Sequence, residues 1–158
     1  MSADTEPLAA QFERQLLADI PLARAMQLRI DGWDGDCLSL AAPLAPNIND
    51  TGCAFGGSLA SLMTLAGWGL IVLQLRARGL RCDVYVQDSA IRYLAPIWTD
   101  FVTRARLAEG ESWDDFFAML DQRGRGRLRT ICRVVSADGT DAVTFEARFV
   151  AMTAKTAA

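Results

Sequence analysis

The chain has 158 residues, 51% of them hydrophobic, with a formal net charge of −3 and no histidine. That length fits one domain with a core of its own. The acidic balance leaves no broad basic face for nucleic acid. The lack of histidine removes Ser-His-Asp and Cys-His nucleophilic schemes and every histidine-containing metal site.

The first residues, MSADTEPLAAQFERQLL, are acidic and lack the apolar stretch of a secretory signal peptide. Residues 5–20 have the spacing of an amphipathic helix, with Leu8, Phe12, Leu16 and Ile20 on one side. Pro21 opens a second short turn over 22–25. Residues 1–25 are thus expected to pack as a helical cover on a domain spanning 26–153. Within that domain 26–33 alternates, with Met26, Leu28 and Ile30 on one face. Asp34-Gly35 is a turn signal, and 36–44 alternates again, giving a hairpin.

The next stretch dominates the chain. A polar loop from Asn47 leads through Phe55-Gly56-Gly57-Ser58 into an apolar run, and no charge lies between Thr51 and Leu75. A run of that length suits a helix and exceeds a strand. It could span a bilayer. Its glycines, Ser58, Ser61, Thr64 and Gln74, and the alternating flanks point instead to a helix buried in protein, with no membrane span. Gly79 after Arg78 is a C-terminal cap. The small residues Gly57, Ser61, Thr64 and Gly67 form a stripe suited to close helix–sheet approach.

Residues 83–94 are rich in β-formers with apolar groups on both faces, which suits a central strand. Residues 100–109 alternate, with Phe101, Thr103, Ala105 and Leu107 opposite Val102, Arg104 and Arg106. Ser112 caps a short helix over 113–122. The run Arg123-Gly124-Arg125-Gly126-Arg127 follows. Residues 128–135 then alternate, as do Val143, Phe145, Ala147 and Phe149 after the Asp138-Gly139 turn. A frayed polar tail is expected over 154–158. Antiparallel strands with helices to one side make an α+β fold in which a curved sheet wraps one long helix.

The four cysteines, Cys37, Cys53, Cys82 and Cys132, show no CxxC spacing and read as small, mostly buried residues of a reducing, cytoplasmic compartment, with Cys53 the exception because it sits in the loop before the long helix. A loop ending in Gly56-Gly57 at a helix start presents backbone N–H groups at the positive end of the helix dipole, a geometry that suits an oxyanion. Asp50 reads as a turn or capping residue. Asp88, on the 83–94 strand, is the other carboxylate of interest. The arginines Arg123, Arg125 and Arg127 form a basic cluster in an acidic chain, a candidate for phosphate.

Three stretches resemble one family most specifically, Leu44-Ala45-Pro46-Asn47-Ile48-Asn49, residues 52–59, and Ile91-Arg92-Tyr93-Leu94-Ala95-Pro96, and the Arg123 to Arg127 run also matches. Over about residues 12–152 the chain resembles the hot-dog fold thioesterases, in particular the putative thioesterase domain of the YiiD C-terminal type. That type elsewhere occurs fused behind an acetyltransferase domain, and acetyl transfer is not among the expectations carried over to these residues. The resemblance implies hydrolysis of an acyl-CoA or acyl-carrier-protein thioester in fatty acid metabolism, by a homodimer or dimer of dimers with the site between subunits. It implies no metal or redox cofactor.

The superfamily patterns are Asn-x-x-Gly-x-x-His-Gly-Gly and Asp-x-x-Gly. Here Asn49, Gly52, Gly56 and Gly57 match the first, with Phe55 in place of histidine. The helix position that usually carries a carboxylate is Thr64, and the acid of the second pattern falls at Asn49. Asn49 and Gly57 are the catalytic candidates the pattern carries over, but it identifies no general base. Asp88, on a strand that runs beside the central helix in the fold resembled, is the third catalytic candidate, as the base or as a residue that holds the loop. Asp50, Phe55, Gly56, Ser58, Ser61, Thr64 and Tyr93 line the substrate, and Arg123, Arg125 and Arg127 hold coenzyme A phosphates. The neutral acid positions leave open a non-catalytic module that binds acyl thioesters or acyl carriers. A dehydratase or isomerase on this fold usually needs a histidine.

Overall fold

The computed structural model describes residues 6–154. The elements in chain order are α1 (Leu8–Asp19), α2 (Pro21–Ala25), β1 (Arg29–Trp33), β2 (Leu38–Ala42), a 3-10 turn (Ala45–Asn47) and α3 (Gly56–Ala77). Then come β3 (Cys82–Tyr93), β4 (Phe101–Leu107), α4 (Trp113–Arg123), β5 (Arg125–Val135) and β6 (Asp141–Thr153). All six strands form one antiparallel sheet in the order β1-β2-β4-β5-β6-β3. The expected frayed tail falls almost wholly outside the described residues, as does Thr5 of the first helix.

Every strand but β1 and β3 is buried on the face toward α3. On β5 the buried set is Leu128, Thr130, Cys132 and Val134, and on β6 it is Val143, Phe145, Ala147 and Phe149. On α3, Leu62, Met63, Ala66, Leu70, Ile71 and Leu73 are wholly enclosed. The long apolar run is therefore the core of a protein domain. Close approach occurs at two glycines. A Cβ on Gly67 would lie 2.5 Å from Thr130 Oγ1 and 2.9 Å from the Phe149 ring, and one on Gly69 would lie 2.9 Å from Leu38. The stripe expected from Gly57 to Gly67 does this only at Gly67. Ser61 and Thr64 sit on a half-buried flank.

Both termini of α3 are shaped locally. Gly79 at φ +70 ends the helix, with its N–H donating to Arg76 O and that of Leu80 to Leu75 O. The expected strand at 26–33 starts later, at Arg29. Gln27 takes a left-handed φ of 55, and that turn, not strand alternation, buries both Met26 and Leu28.

The position of β3 differs from expectation. It is an edge strand, paired only with β6. Its apolar residues suggested cover on both sides, but Tyr85 and Val86 remain 55% and 47% exposed within the chain. A two-for-one register step between Val86 and Asp88 opposite Phe149 and Arg148 leaves Gln87 unpaired, a β-bulge. Past the bulge, Ser89, Ile91 and Tyr93 lie opposite Ala147, Phe145 and Val143 on the helix-facing side.

Candidate active site at the start of the central helix

The loop that feeds α3 is held by its own asparagines. Asn47 is buried, and its side-chain amide donates to Met26 O at 2.9 Å and Pro43 O at 2.8 Å. Its backbone carbonyl accepts from Phe55 N at 2.7 Å, closing the loop at its base. Asn49 staples the tip. Its Oδ1 accepts from Thr51 N, Thr51 Oγ1 and Cys53 N, and its Nδ2 donates to Cys53 Sγ at 3.1 Å. This turn chemistry is what asparagine supplies at such positions. The Asn49 side chain is thus occupied within the loop. Ala54 N donates to Ile97 O at 2.8 Å, tying the loop to the 94–100 crossover.

The chain then enters α3 at Phe55, which caps with no side-chain hydrogen bond. The first helical bond is Leu59 N to Phe55 O. Among the described residues the N–H groups of Gly56, Gly57 and Ser58 have no acceptor. These are the orphan donors of a helix start, at the positive end of a 22-residue dipole. The Phe55 ring lies over Gly57, where a Cβ would come within 2.8 Å of its Cζ. That ring is itself 53% exposed, so nothing pins it from outside. Tyr93 closes the other side: its hydroxyl donates to Gly56 O at 2.8 Å, and a Cβ on Gly56 would meet its ring at 3.3 Å. Ile48 and Phe55, both exposed, complete an apolar rim with Tyr93.

Ser61 Oγ and Thr64 Oγ1 each donate to the carbonyl four residues back, Gly57 O and Ala60 O, both at 2.8 Å. They point along the half-buried flank of α3 beyond the amides. Ser58 is half-buried beside the free N–H groups. Asp50 is exposed on the loop, and its carboxylate makes no hydrogen bond to a described residue. Asp50 lies in the turn, one of the two roles expected of it, while the side-chain capping of that turn is done by Asn49.

The structure gathers Gly56, Gly57, Ser58, Phe55, Tyr93, Asp50 and Ser61 at or beside one end of α3, with Thr64 more than two turns further along the helix, about 12 Å from Gly56. It does not bring Asp88 or the arginine run there within one chain. Asp88 lies opposite Arg148 on the face away from α3 and ion-pairs with it at 3.8 Å. Five residues of strand, about 17 Å, separate it from Tyr93. Arg125 pairs with Met152, level with the start of β3 and the C-terminal end of α3. The helix is about 33 Å long, so Arg123, Arg125 and Arg127 lie at the end opposite Gly57. Arg129 is bonded to Glu111 and Glu146 at 3.0 and 2.9 Å, and the Glu111 bond first of all raises its pKa. All four cysteines are free, and burial pushes the Cys132 thiol up to about 12. The Tyr93–Gly56 bond, the Phe55 cover and the Asn47 anchor were not derivable from spacing, although all three residues stand in the matched motifs.

A family model described as putative thioesterase, YiiD C-terminal, matches residues 9–153. Among solved structures, a protein of unknown function from Chlorobaculum tepidum TLS superposes with a TM-score of 0.86 at 25% identity, covering 93% of this chain and 95% of its own. The putative thioesterase from Shewanella oneidensis gives 0.78 at 28% identity, covering 94% and 99%. A thioesterase from Haemophilus influenzae gives 0.72 at 12% identity, covering 97% and 96%, a likeness of fold alone. The six-stranded sheet around a central helix is the hot-dog fold of these structures.

Proposed function

Because this chain belongs to the putative thioesterase family of the YiiD C-terminal type, we propose that it hydrolyses an acyl thioester carried on coenzyme A or an acyl carrier protein. One observation carries the reading: three acceptor-less amides, at Gly56, Gly57 and Ser58, open beneath an apolar rim. The thioester carbonyl sits over Gly57, which has no side chain to hold it off. Attack by water puts negative charge on that oxygen, and the helix start stabilises it without reorganising. Such a donor contributes roughly 3–4 kcal/mol to barrier lowering. The acyl chain follows the rim and the Ser61–Thr64 flank.

Water needs a base, and Asp50 takes that role in this reading, since its carboxylate has no partner among the described residues and stands on the loop that leads into the amides. Asp88 is the second reading, favoured by one observation. It lies on the exposed edge strand β3, where a second copy would bring residues of its partner alongside. The same edge, with Tyr85 and Val86 uncovered, supports the homodimer. Arginines at the far end of α3 would approach the site only from that second copy.

Thiol release from short, medium and long acyl-CoA and from an acyl carrier protein tests the proposal. Turnover should fall by about a hundredfold or more in Asp50→Asn and stay near wild type in Asp88→Asn. The reverse outcome moves the base to Asp88. Binding of acyl thioesters without turnover at any chain length would leave a non-catalytic module, a reading favoured by the occupied Asn49 side chain.

A further inference from the structure

The outer face of the sheet, turned away from α3, carries a groove of about 1030 Å³ roofed by the crossover around Trp98 and the β5–β6 turn. Its floor shows one cross-strand row. Arg104 on β4 lies opposite Arg133 on β5, Arg133 opposite Thr144 on β6, and Thr144 opposite Arg92 on β3. Arg106 stands two residues along β4. Like charges directly opposite each other destabilise a sheet unless something neutralises them.

The groove's own carboxylates neutralise only Arg133. Asp31 pairs with Arg29, Asp141 with Arg133 at 3.7 Å, and Glu146 with Arg129. Asp100 accepts from Leu44 N. Among the described residues Arg92, Arg104 and Arg106 have no carboxylate within ion-pair distance. An acidic chain has therefore left three uncompensated guanidiniums in one concavity. Three strand spacings set Arg92 about 14 Å from Arg104. Between and beside them lie the exposed apolar groups Ile131, Val135 and Trp98, the indole 59% exposed.

We propose that this groove binds a phosphorylated ligand of nucleotide size, with its phosphates on Arg92, Arg104 and Arg106 and its flat ring against Trp98. The guanidinium fork matches phosphate geometry, and the groove volume is that of a small-molecule site. The chemistry is shared by a free nucleotide and by the nucleotide end of coenzyme A. The site is separate from the Gly57 amides, which lie on the other side of the 94–100 crossover.

Calorimetric titration of the intact protein with ADP, with pyrophosphate and with coenzyme A tests this. All three arginines are exposed, so Arg104→Gln and Arg106→Gln should keep the fold. Saturable ADP binding is expected, weaker by about tenfold or more in each variant, weakened by salt, and tighter than pyrophosphate because of the ring. Turnover of an acyl-N-acetylcysteamine thioester, which has no nucleotide, reads the Gly57 chemistry independently and should be unchanged in both variants. If ADP competes with acyl-CoA turnover but not with that substrate, the groove holds the coenzyme's own nucleotide. Competition with neither assigns it to a free nucleotide. No saturable ADP binding, binding untouched by both substitutions, or pyrophosphate binding as tightly as ADP overturns the proposal.

Discussion

Gly57→Ala isolates the central chemical claim. The added methyl comes within 2.8 Å of Phe55 Cζ, so the ring must swing outward. It can, because it is half exposed and meets no enclosing wall. Alanine also gains up to about 1 kcal/mol of helix propensity over glycine, so the melting temperature should hold or rise slightly. The methyl and the displaced ring then occupy the space through which a thioester carbonyl reaches the Gly57 and Ser58 amides. If those amides carry the oxyanion, losing their contact costs roughly 3 kcal/mol, or about a hundredfold in kcat. The assay is kcat by thiol release beside a urea melt on the same preparation. Phe55→Ala in the Gly57→Ala background should return part of the activity by clearing the ring but not the methyl. Wild-type turnover in Gly57→Ala at unchanged stability would refute an oxyanion site at this helix start.

Tyr93→Phe removes the hydroxyl bonded to Gly56 O while keeping the ring. It should cost at most about 1 kcal/mol by denaturant midpoint and lower kcat severalfold with KM little changed, the mark of a positioning residue. Gly67→Ala should destabilise by about 1–3 kcal/mol in urea, because Thr130 and Phe149, both buried, cannot yield to a Cβ. Cys132 supplies a pH test. Its folded pKa stands near 12 against an ordinary 9.0, raised first by burial. Between these values the unfolded chain loses the proton and the folded one keeps it. Stability should therefore be unaffected below pH 9 and fall as pH rises toward 12. Urea midpoints across that window should decline less steeply in Cys132→Ala, and an equal decline would remove Cys132 as the cause.

What the sequence disclosed follows how local each cause is. The α3 helix, its Gly79 cap, the Asp34-Gly35 and Asp138-Gly139 turns and the Ser112 cap depend on neighbouring residues, and each is present. The amides at Gly56 and Gly57 were legible for the same reason, since a helix start always leaves donors free. The edge position of β3 was not, because sheet order depends on crossovers. The 94–100 segment carries the chain from β3 across two strands to β4. The outer groove was equally hidden: Arg92, Arg104 and Arg133 fall in one row only once four strands are in register.

The Gln87 bulge shows how one residue decides which side chains reach the site. Val84 and Val86 lie opposite Ala151 and Phe149 and face α3. Unbroken alternation from them would turn Asp88 toward the helix and Tyr93 away from it. The extra residue inverts that parity. Asp88 goes out to Arg148, while Tyr93 comes in and bonds Gly56 O. Without the bulge, a carboxylate would face the helix and no tyrosine would brace the Gly56 peptide. The bulge thus trades an inward acid for a fixed helix start, so that in the proposed hydrolysis water would be activated by a carboxylate outside the helix-facing side of β3. Asp50, which has no partner among the described residues, stands on the helix-entry loop of the same chain and is the candidate for that role in the proposed reaction.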